Sequence, residues 1–239
     1  MALDEVLLES ALRDGIATLR FYRWSEPTLS LGYFQRLADR NSHTRSRACP
    51  IVRRTTGGGA IVHDQELTYS LAIPASSPLA RHSEVLYRLA HESLIDALAS
   101  WGIHSKKIGA SDDGHCEKKN KDKKPGEESF LCFERLGCGD VAIDRFKVCG
   151  SAQRRSHGAI LQHGSVLLGT STAATELPGI RELADVTVHE NELIAAWRPR
   201  LSQRLNLRTL AADWTPEELQ SARSLTTSRY ANPDWTGKR

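Results

Sequence analysis

The sequence predicts a fold of the α/β or α+β class, and three observations lead there. Short runs rich in β-branched and aromatic residues recur along most of the chain. Segments with apolar residues at helical spacing open it, interrupt it once and close it. No internal repeat and no Pro/Gly-rich linker divides it, so residues 1–239 are expected to form one domain. With 40% hydrophobic and 26% charged residues, the composition is that of a globular protein able to bury a sizeable core. The net charge of +3 is far below what a phosphate-tracking surface needs, so no nucleic acid partner is expected.

The opening segment MALDEVLLESALRDG carries Leu3, Val6, Leu7, Ser10 and Ala11 at helical spacing, with Gly15 as its stop. Asp4, Glu5 and Glu9 interrupt its apolar residues, which does not fit a secretory signal, and no run reaches membrane-spanning length. A cytoplasmic location with no membrane contact is expected. LRFYRW and TLSLGYF read as two strands separated by SEP, most simply paired as a hairpin. IVRRTTGGG and AIVHDQELTYSLAIP are two further β-rich runs with the glycines between them, and Pro74 closes the second. SEVLYRLAHESLIDALASWG places Val85, Leu86, Leu89, Leu94, Ile95 and Leu98 on one helical stripe, with Ser83 as N-cap and Gly102 as stop.

Residues 111–129, SDDGHCEKKNKDKKPGEES, have no apolar periodicity and interleave five lysines with acidic residues, so they read as a mobile surface insertion. Nothing near His115 and Cys116 completes a metal site. SFLCF, GDVAIDRFKVCGSAQ and GAILQHGSVLLG resume the strand pattern, with DRF and SHG as turns. ENELIAAWRPRLSQRLN and TPEELQSARSLTTSRY are helical; the second opens with Thr215 as N-cap, Pro216 at the first position and Glu218 at the capping-box position. Cys49, Cys116, Cys132, Cys138 and Cys149 form an odd set without paired metal-ligand spacing, which fits a reducing compartment with at least one free thiol and no metal.

RRTTGGGAIVHD, residues 53–64, poses the functional question. Three glycines at a strand junction let the main chain take positive φ and approach a ligand with no Cβ in the way. No Lys-Ser/Thr follows and no helix begins there, which argues against the common nucleotide fingerprints. Arg53 and Arg54 both suit a carboxylate or phosphate, but successive strand residues face opposite ways, so one of them is structural.

RRTTGGGAIVHDQELTYSLAIP resembles the signature of the lipoate–protein ligase and octanoyltransferase family, whose domain is related to the biotin protein ligase catalytic domain. The resemblance continues in order over nearly the whole chain. MALDEVLLESA and LRFYRWSEPTLSLGYFQ are similar to the family's N-terminal helix and hairpin, FKVCGSAQRRSHGAILQHGSVLL to its lysine motif and following strand, and RYANPDWTGKR to its closing tail. It implies an α+β (α/β two-layer) fold, a mixed and largely antiparallel sheet flanked by helices. It further implies that Gly57, Gly58 and Gly59 cover the carbonyl end of a medium-chain acyl group, with Arg54, His63, Ser151, Ala152, Gln153, His163 and Gly164 completing the substrate site.

The family runs two chemistries. Its ligases activate free lipoate with ATP and carry an Asn-Asp pair upstream of the motif lysine; its transferases take octanoyl from acyl carrier protein through a cysteine. No such pair precedes Lys147, whereas Cys132 stands fifteen positions before it, similar to the arrangement of cysteine-dependent octanoyltransferases. The likeness departs at ERLGCGD, where those transferases usually carry a Pro-Ser pair, and Cys138 stays open as a competing nucleophile. The implied activity moves octanoyl (or lipoyl) from acyl carrier protein to a lysine of the lipoyl domains of glycine-cleavage H protein or 2-oxoacid dehydrogenase subunits, by a monomer without a cofactor. ATP and Mg enter only under the ligase alternative, and a non-catalytic acyl- or lipoyl-domain-binding protein is a third reading. Lys147 would stabilise both the Cys132 thiolate and charge developing on the acyl carbonyl. His63 and His163 are candidates for the base that frees the attacking amine, each equally readable as a hydrogen-bonded sheet histidine.

Overall fold

The computed structural model describes residues 1–109 and 129–239; apart from Ser129, the expected insertion, with His115 and Cys116, lies outside the described residues. The chain begins α1 (Ala2–Asp14), β1 (Thr18–Tyr22), β2 (Thr28–Leu31), β3 (Ile51–Arg53), β4 (Ile61–His63), β5 (Glu66–Ile73), α2 (Pro78–Arg81) and α3 (Ser83–Ala99). It continues β6 (Lys106–Lys107), β7 (Val141–Ile143), β8 (Phe146–Ser156), β9 (Ala159–Leu167), α4 (Ile180–Ala184), α5 (Glu190–Arg204), α6 (Pro216–Leu225) and α7 (Pro233–Gly237). Among the described residues, one sheet runs β1-β5-β9-β8-β7-β6 with every neighbouring pair antiparallel. A second runs β3-β2-β4, with β2 parallel to β3 and antiparallel to β4. The architecture is therefore the mixed, largely antiparallel one that the resemblance implied. No helix among the described residues is long and apolar enough to cross a membrane.

Local signals account for most boundaries. Gly15 ends α1 at φ 70°, its N–H returning to Ala11 O at 3.1 Å. Thr215 and Glu218 close a reciprocal capping box at 3.1 and 3.0 Å with Pro216 next in line. At α3 the cap falls on His82 rather than Ser83 and makes no side-chain bond. The helix holds because Leu86, Leu94 and Leu98 are fully buried, at roughly 1.5–3 kcal/mol each, against about 1 kcal/mol for the missing cap.

Two pairings differ from expectation. β1 and β2 do not form a hairpin: β1 joins β5 in the large sheet and β2 joins β3 and β4 in the small one. The five residues between them, with Pro27, lack a two-residue hairpin turn and carry the chain across from one sheet to the other. The run AIVHDQELTYSLAIP likewise breaks at Asp64–Gln65 into β4 and β5, one in each sheet.

Alternation along β5 and β9 sends side chains to two different layers. Tyr69, Leu71 and Ile73 of β5 and Ile160 and Val166 of β9 join α3 and α5 in one core, where Trp197 is fully buried and its indole N–H donates to Ser93 Oγ at 2.8 Å. On the opposite face, Leu7, Leu8 and Ala11 of α1 cover Ala72, Ala159 and Leu161. Farther along that face Thr68 sits opposite Ser165 and Ala152 opposite His163, and there the small sheet faces the large one across a cleft.

Candidate active site

The cleft forms where three backbone features coincide. The first is the glycine loop between β3 and β4. Gly58 adopts φ 92°, a conformation in which only glycine is unstrained. A Cβ on Gly32 would stand 2.0 Å from the Gly58 carbonyl oxygen, and one on Gly59 2.9 Å from the Cys132 nitrogen. The loop's glycines thus serve the packing of chain on chain as well as the approach to the cleft.

Arg54 holds this loop in shape. Its guanidinium donates to the carbonyls of Ser30, Gly57 and Gly59 and to Ser30 Oγ, at 2.7–3.2 Å. Burial lowers its pKa to about 10, and its Nε has no partner among the described residues. Arg54 lines the cleft, but its terminal nitrogens are spent on main-chain oxygens and Ser30 Oγ. Arg53 is the structural one of the pair, bonded to the carbonyls of Gly32, Tyr33, Gln35 and Thr236 away from the cleft.

The second feature is the segment carrying Cys132. SFLCF does not form a strand: Leu131 makes an isolated bridge to Ala60, and Cys132–Glu134 is a 3₁₀ turn. Cys132 N–H donates to Ala60 O at 2.7 Å and Ala60 N–H to Phe130 O at 2.9 Å, so the turn is laid directly on the glycine loop. Pulled out of the sheet, the Cys132 sulfur borders the cleft instead of being buried beside Leu131 and Phe133. Cys49 and Cys149 are free but buried. Cys138 does not border the cleft, its sulfur standing 3.7 Å from Gly109 O, which argues against it as a competing nucleophile.

The third feature is a bulge in β8. Val141 pairs with Cys149 and Ala142 with Lys147, leaving Val148 as the extra residue. Lys147 then lies over Gly150, where a Cβ would come within 2.6 Å of its ammonium nitrogen. That nitrogen stands 2.8 Å from Asp140 Oδ2, 3.6 Å from Cys132 Sγ and 3.5 Å from Cys132 O. Burial disfavours the charge on Lys147, but Cys132 and Asp140 outweigh it and raise its pKa above the ordinary lysine value. Asp140 is itself fixed: Tyr87 O–H donates to Oδ1 at 2.8 Å and Gly137 N–H to Oδ2 at 2.7 Å.

A polar network behind the sheet secures the loop that carries Asp140. Gln153 donates to Ser83 O and to Gln162 Oε1, and Gln162 donates to Tyr69 Oη, each at 2.7 Å. Tyr69 O–H is thereby directed to Ser151 Oγ at 2.7 Å. His91 Nδ1–H donates to Gly139 O at 2.6 Å, leaving Nε2 to accept from Ser151 at 2.7 Å. Burial lowers the pKa of His91 to about 4, so it is neutral in this network at pH 7. Ser151 borders the cleft with its hydroxyl turned toward α3, and Gly164 makes room for it: a Cβ there would lie 2.3 Å from Ser151 Oγ.

Of the residues expected in the substrate site, Arg54, Gly57, Gly58, His63, Ser151, Ala152, His163 and Gly164 all border the cleft with Cys132. Gly59 lies against the Cys132 backbone, and Gln153 belongs to the network behind the sheet. His63 has both ring nitrogens engaged, by Glu66 at 2.6 Å and Ser30 at 2.7 Å, and stacks on Trp24. His163 meets Thr56 Oγ1 at 2.7 Å, and burial lowers its pKa to about 4. His63 thus has no free ring nitrogen to offer an incoming amine, and His163, with its pKa so lowered, is a weak base at pH 7. Asp140, Tyr87, His91 and Gly150 escaped sequence reasoning. The spacing of Asp140 to Lys147 across a two-residue turn was the one available signal.

The glycine loop of the small sheet, Cys132 at the cleft and the buried Lys147 beside it together make the candidate site. The chain matches the family described as "Lipoyl protein ligase A/B catalytic domain" over residues 1–199, and it belongs to that family. It is 30% identical to the octanoyltransferase LipM of Brevibacillus brevis over 264 residues, covering 100% of this chain and 94% of that protein. It is 31% identical to LipM of Clostridioides difficile over 271 residues, with 100% and 94% covered. Among solved structures, lipoate-protein ligase A bound with ATP superposes with a TM-score of 0.74 at 24% identity, covering 99% of this chain and 92% of that one. The bipartite lipoate protein ligase of Thermoplasma acidophilum gives 0.72 at 22% identity, with 99% and 89% covered. These two share the fold.

Proposed function

We propose that the protein is an octanoyltransferase of protein lipoylation that carries the acyl group as a thioester on Cys132. The observation that supports this best is the Lys147 ammonium, locked to Asp140 and 3.6 Å from Cys132 Sγ at the cleft wall. In the first step the Cys132 sulfur attacks the octanoyl thioester of acyl carrier protein. A carbon–sulfur bond forms to Cys132, the bond to the donor sulfur breaks, and the donor leaves as a thiol with the proton Cys132 gives up. Lys147 stabilises the negative charge that develops on the carbonyl oxygen, in surroundings where water screens little. In the second step the ε-amine of a lipoyl-domain lysine attacks the Cys132 thioester. The amide forms, the amine loses a proton, and the Cys132 thiol is restored.

Acceptors are the lipoyl domains of glycine-cleavage H protein or of 2-oxoacid dehydrogenase subunits, and neither step consumes ATP. Residues 1–239 act as one catalytic domain, as a cytoplasmic monomer. Arg54, Gly58, His63, Ala152, His163 and Gly164 shape the acyl site. Intact-protein mass spectrometry with octanoyl acyl carrier protein and no ATP tests the reading. Wild type gains one octanoyl group and passes it to a lipoyl domain, while Cys132→Ser gains none. A wild-type protein that stays unmodified, yet releases pyrophosphate from ATP with free lipoate, would move the assignment to a ligase.

A further inference from the structure

Outside the cleft, the glycine loop borders a second groove lined by Phe34, Gln35, Arg36, Asp39, Phe130 and Gly58, so the two depressions meet at Gly58. Phe34 is 68% exposed and rests on Gly57, 3.7 Å from where a Cβ would stand. Phe34 thus presents an exposed apolar ring on the wall of the groove, beside the glycine loop. Its surroundings are cationic. Residues 36–47 hold Arg36, Arg40, Arg45 and Arg47 against one carboxylate, Asp39. Asp39 pairs with Arg36 and Glu176 lies 3.9 Å from Arg45, whereas Arg40 and Arg47 donate to the backbone carbonyls of Arg47 and Asn41. Two more cations come from the far end of the chain. Leu37 N–H donates to Arg239 O at 2.9 Å, the Lys238 ammonium lies 3.4 Å from the centre of the Tyr33 ring, and the Arg239 guanidinium 5.3 Å from that of Phe34. With Arg135, which also lines the groove, the cations named around it number seven against two carboxylates among the described residues, an excess above the +3 of the whole chain.

We propose that this face is the docking surface for the acyl donor, recognised as a strongly acidic carrier protein that delivers its thioester on a flexible arm. The proposal rests on the transferase reading above and deepens it. The arm follows the apolar track between Phe34 and Phe130 to Gly58, while the acidic face of the carrier settles over Arg36, Arg47, Lys238 and Arg239. A lysine side chain is too short to need such a track, which favours the donor over the acceptor as its occupant. Charge complementarity of this kind acts mainly on encounter, raising the association rate and making it sensitive to salt.

The test compares two octanoyl donors, the thioester of acyl carrier protein and that of pantetheine, which has the same reacting group without the protein. Cys132 acylation is followed by mass for wild type, Arg47→Glu, Arg239→Glu and the double variant, with melting temperatures checked in parallel. With the carrier-borne donor, kcat/KM falls about tenfold for a single reversal and further for the double, and the wild-type value drops as salt is raised. With octanoyl pantetheine the variants match wild type. Equal losses with both donors, no loss with either, or a loss confined to transfer from acylated Cys132 to the lipoyl domain would each overturn the proposal. A wild-type protein that neither thioester acylates would overturn the transferase reading itself, and the donor surface with it.

Discussion

Lys147 is a buried cation whose charge persists because Cys132 and Asp140 stand against it. Asp140 is the less obvious of the two, since it does not line the cleft and works through the lysine. Replacing it with Asn keeps the size and, with the amide oxygen turned to Gly137 N–H and the NH2 to Tyr87 Oη, a filled site, but removes the anion. The Lys147 pKa then falls, so the alkaline limb of the Cys132 acylation rate moves to lower pH in Asp140→Asn. The rate at its optimum drops about 10–100-fold. An unmoved alkaline limb would show that Asp140 supports the loop and not the charge. Lys147→Ala removes the cation altogether, and acylation should fall by about 100-fold or more while the melting curve stays cooperative.

At the scale of elements, the glycine loop, the Cys132 turn and the β8 bulge are three irregular pieces that position one another. The turn is hydrogen-bonded to Ala60, the loop carbonyls are gathered by Arg54, and the bulge brings Lys147 to the turn. Gly59 is the contact point, with Cys132 N, Cys132 Cα and Phe130 O all within 3.1 Å of its would-be Cβ. Gly59→Ala therefore pushes the Cys132 backbone outward by a few tenths of an ångström. Acylation should slow by about tenfold or more, because reacting geometry is lost before the fold is. Gly58→Val disturbs the loop differently: its nearest obstacle is Arg54 Nη2 at an ordinary 3.7 Å, and the penalty comes from φ 92°, about 1–3 kcal/mol. A Gly59→Ala enzyme that acylates at the wild-type rate would mean that the loop and the turn are not coupled.

For the whole molecule, the buried histidines set an acid limit on stability. His91 and His163 titrate near pH 4 when folded against an ordinary value of 6.5, burial being the leading cause in both. Between those values the unfolded chain takes up protons that the folded chain does not, so stability falls as pH drops from about 6.5 to 4 and then ceases to change on their account. The expected loss is about 3 kcal/mol per histidine at pH 4. Urea unfolding at pH 7, 5.5 and 4.5 measures it, and His91→Gln should flatten part of the slope. A pH-independent midpoint across that range would show that neither ring is held neutral by the fold.

By itself the sequence determined the elements whose causes are local and the family that its motifs spell. Gly15, Gly102 and the Thr215–Glu218 box are short-range signals, and the alternation along β5 and β9 needs only the period of a strand. Cys132, Lys147 and the three glycines were legible because their order along the chain carries the motif. Which strands pair was decided by tertiary structure alone, as β1 and β2 show: adjacent in sequence, they enter different sheets because the pairing energy lies with distant partners. The role of Arg54, the Asp140 clamp and the His91 network were equally invisible. Each depends on atoms from elements tens of residues apart, and a one-residue bulge at Val148 decides which way Lys147 points, a choice made by how the sheet packs and not by the residues that compose the strand.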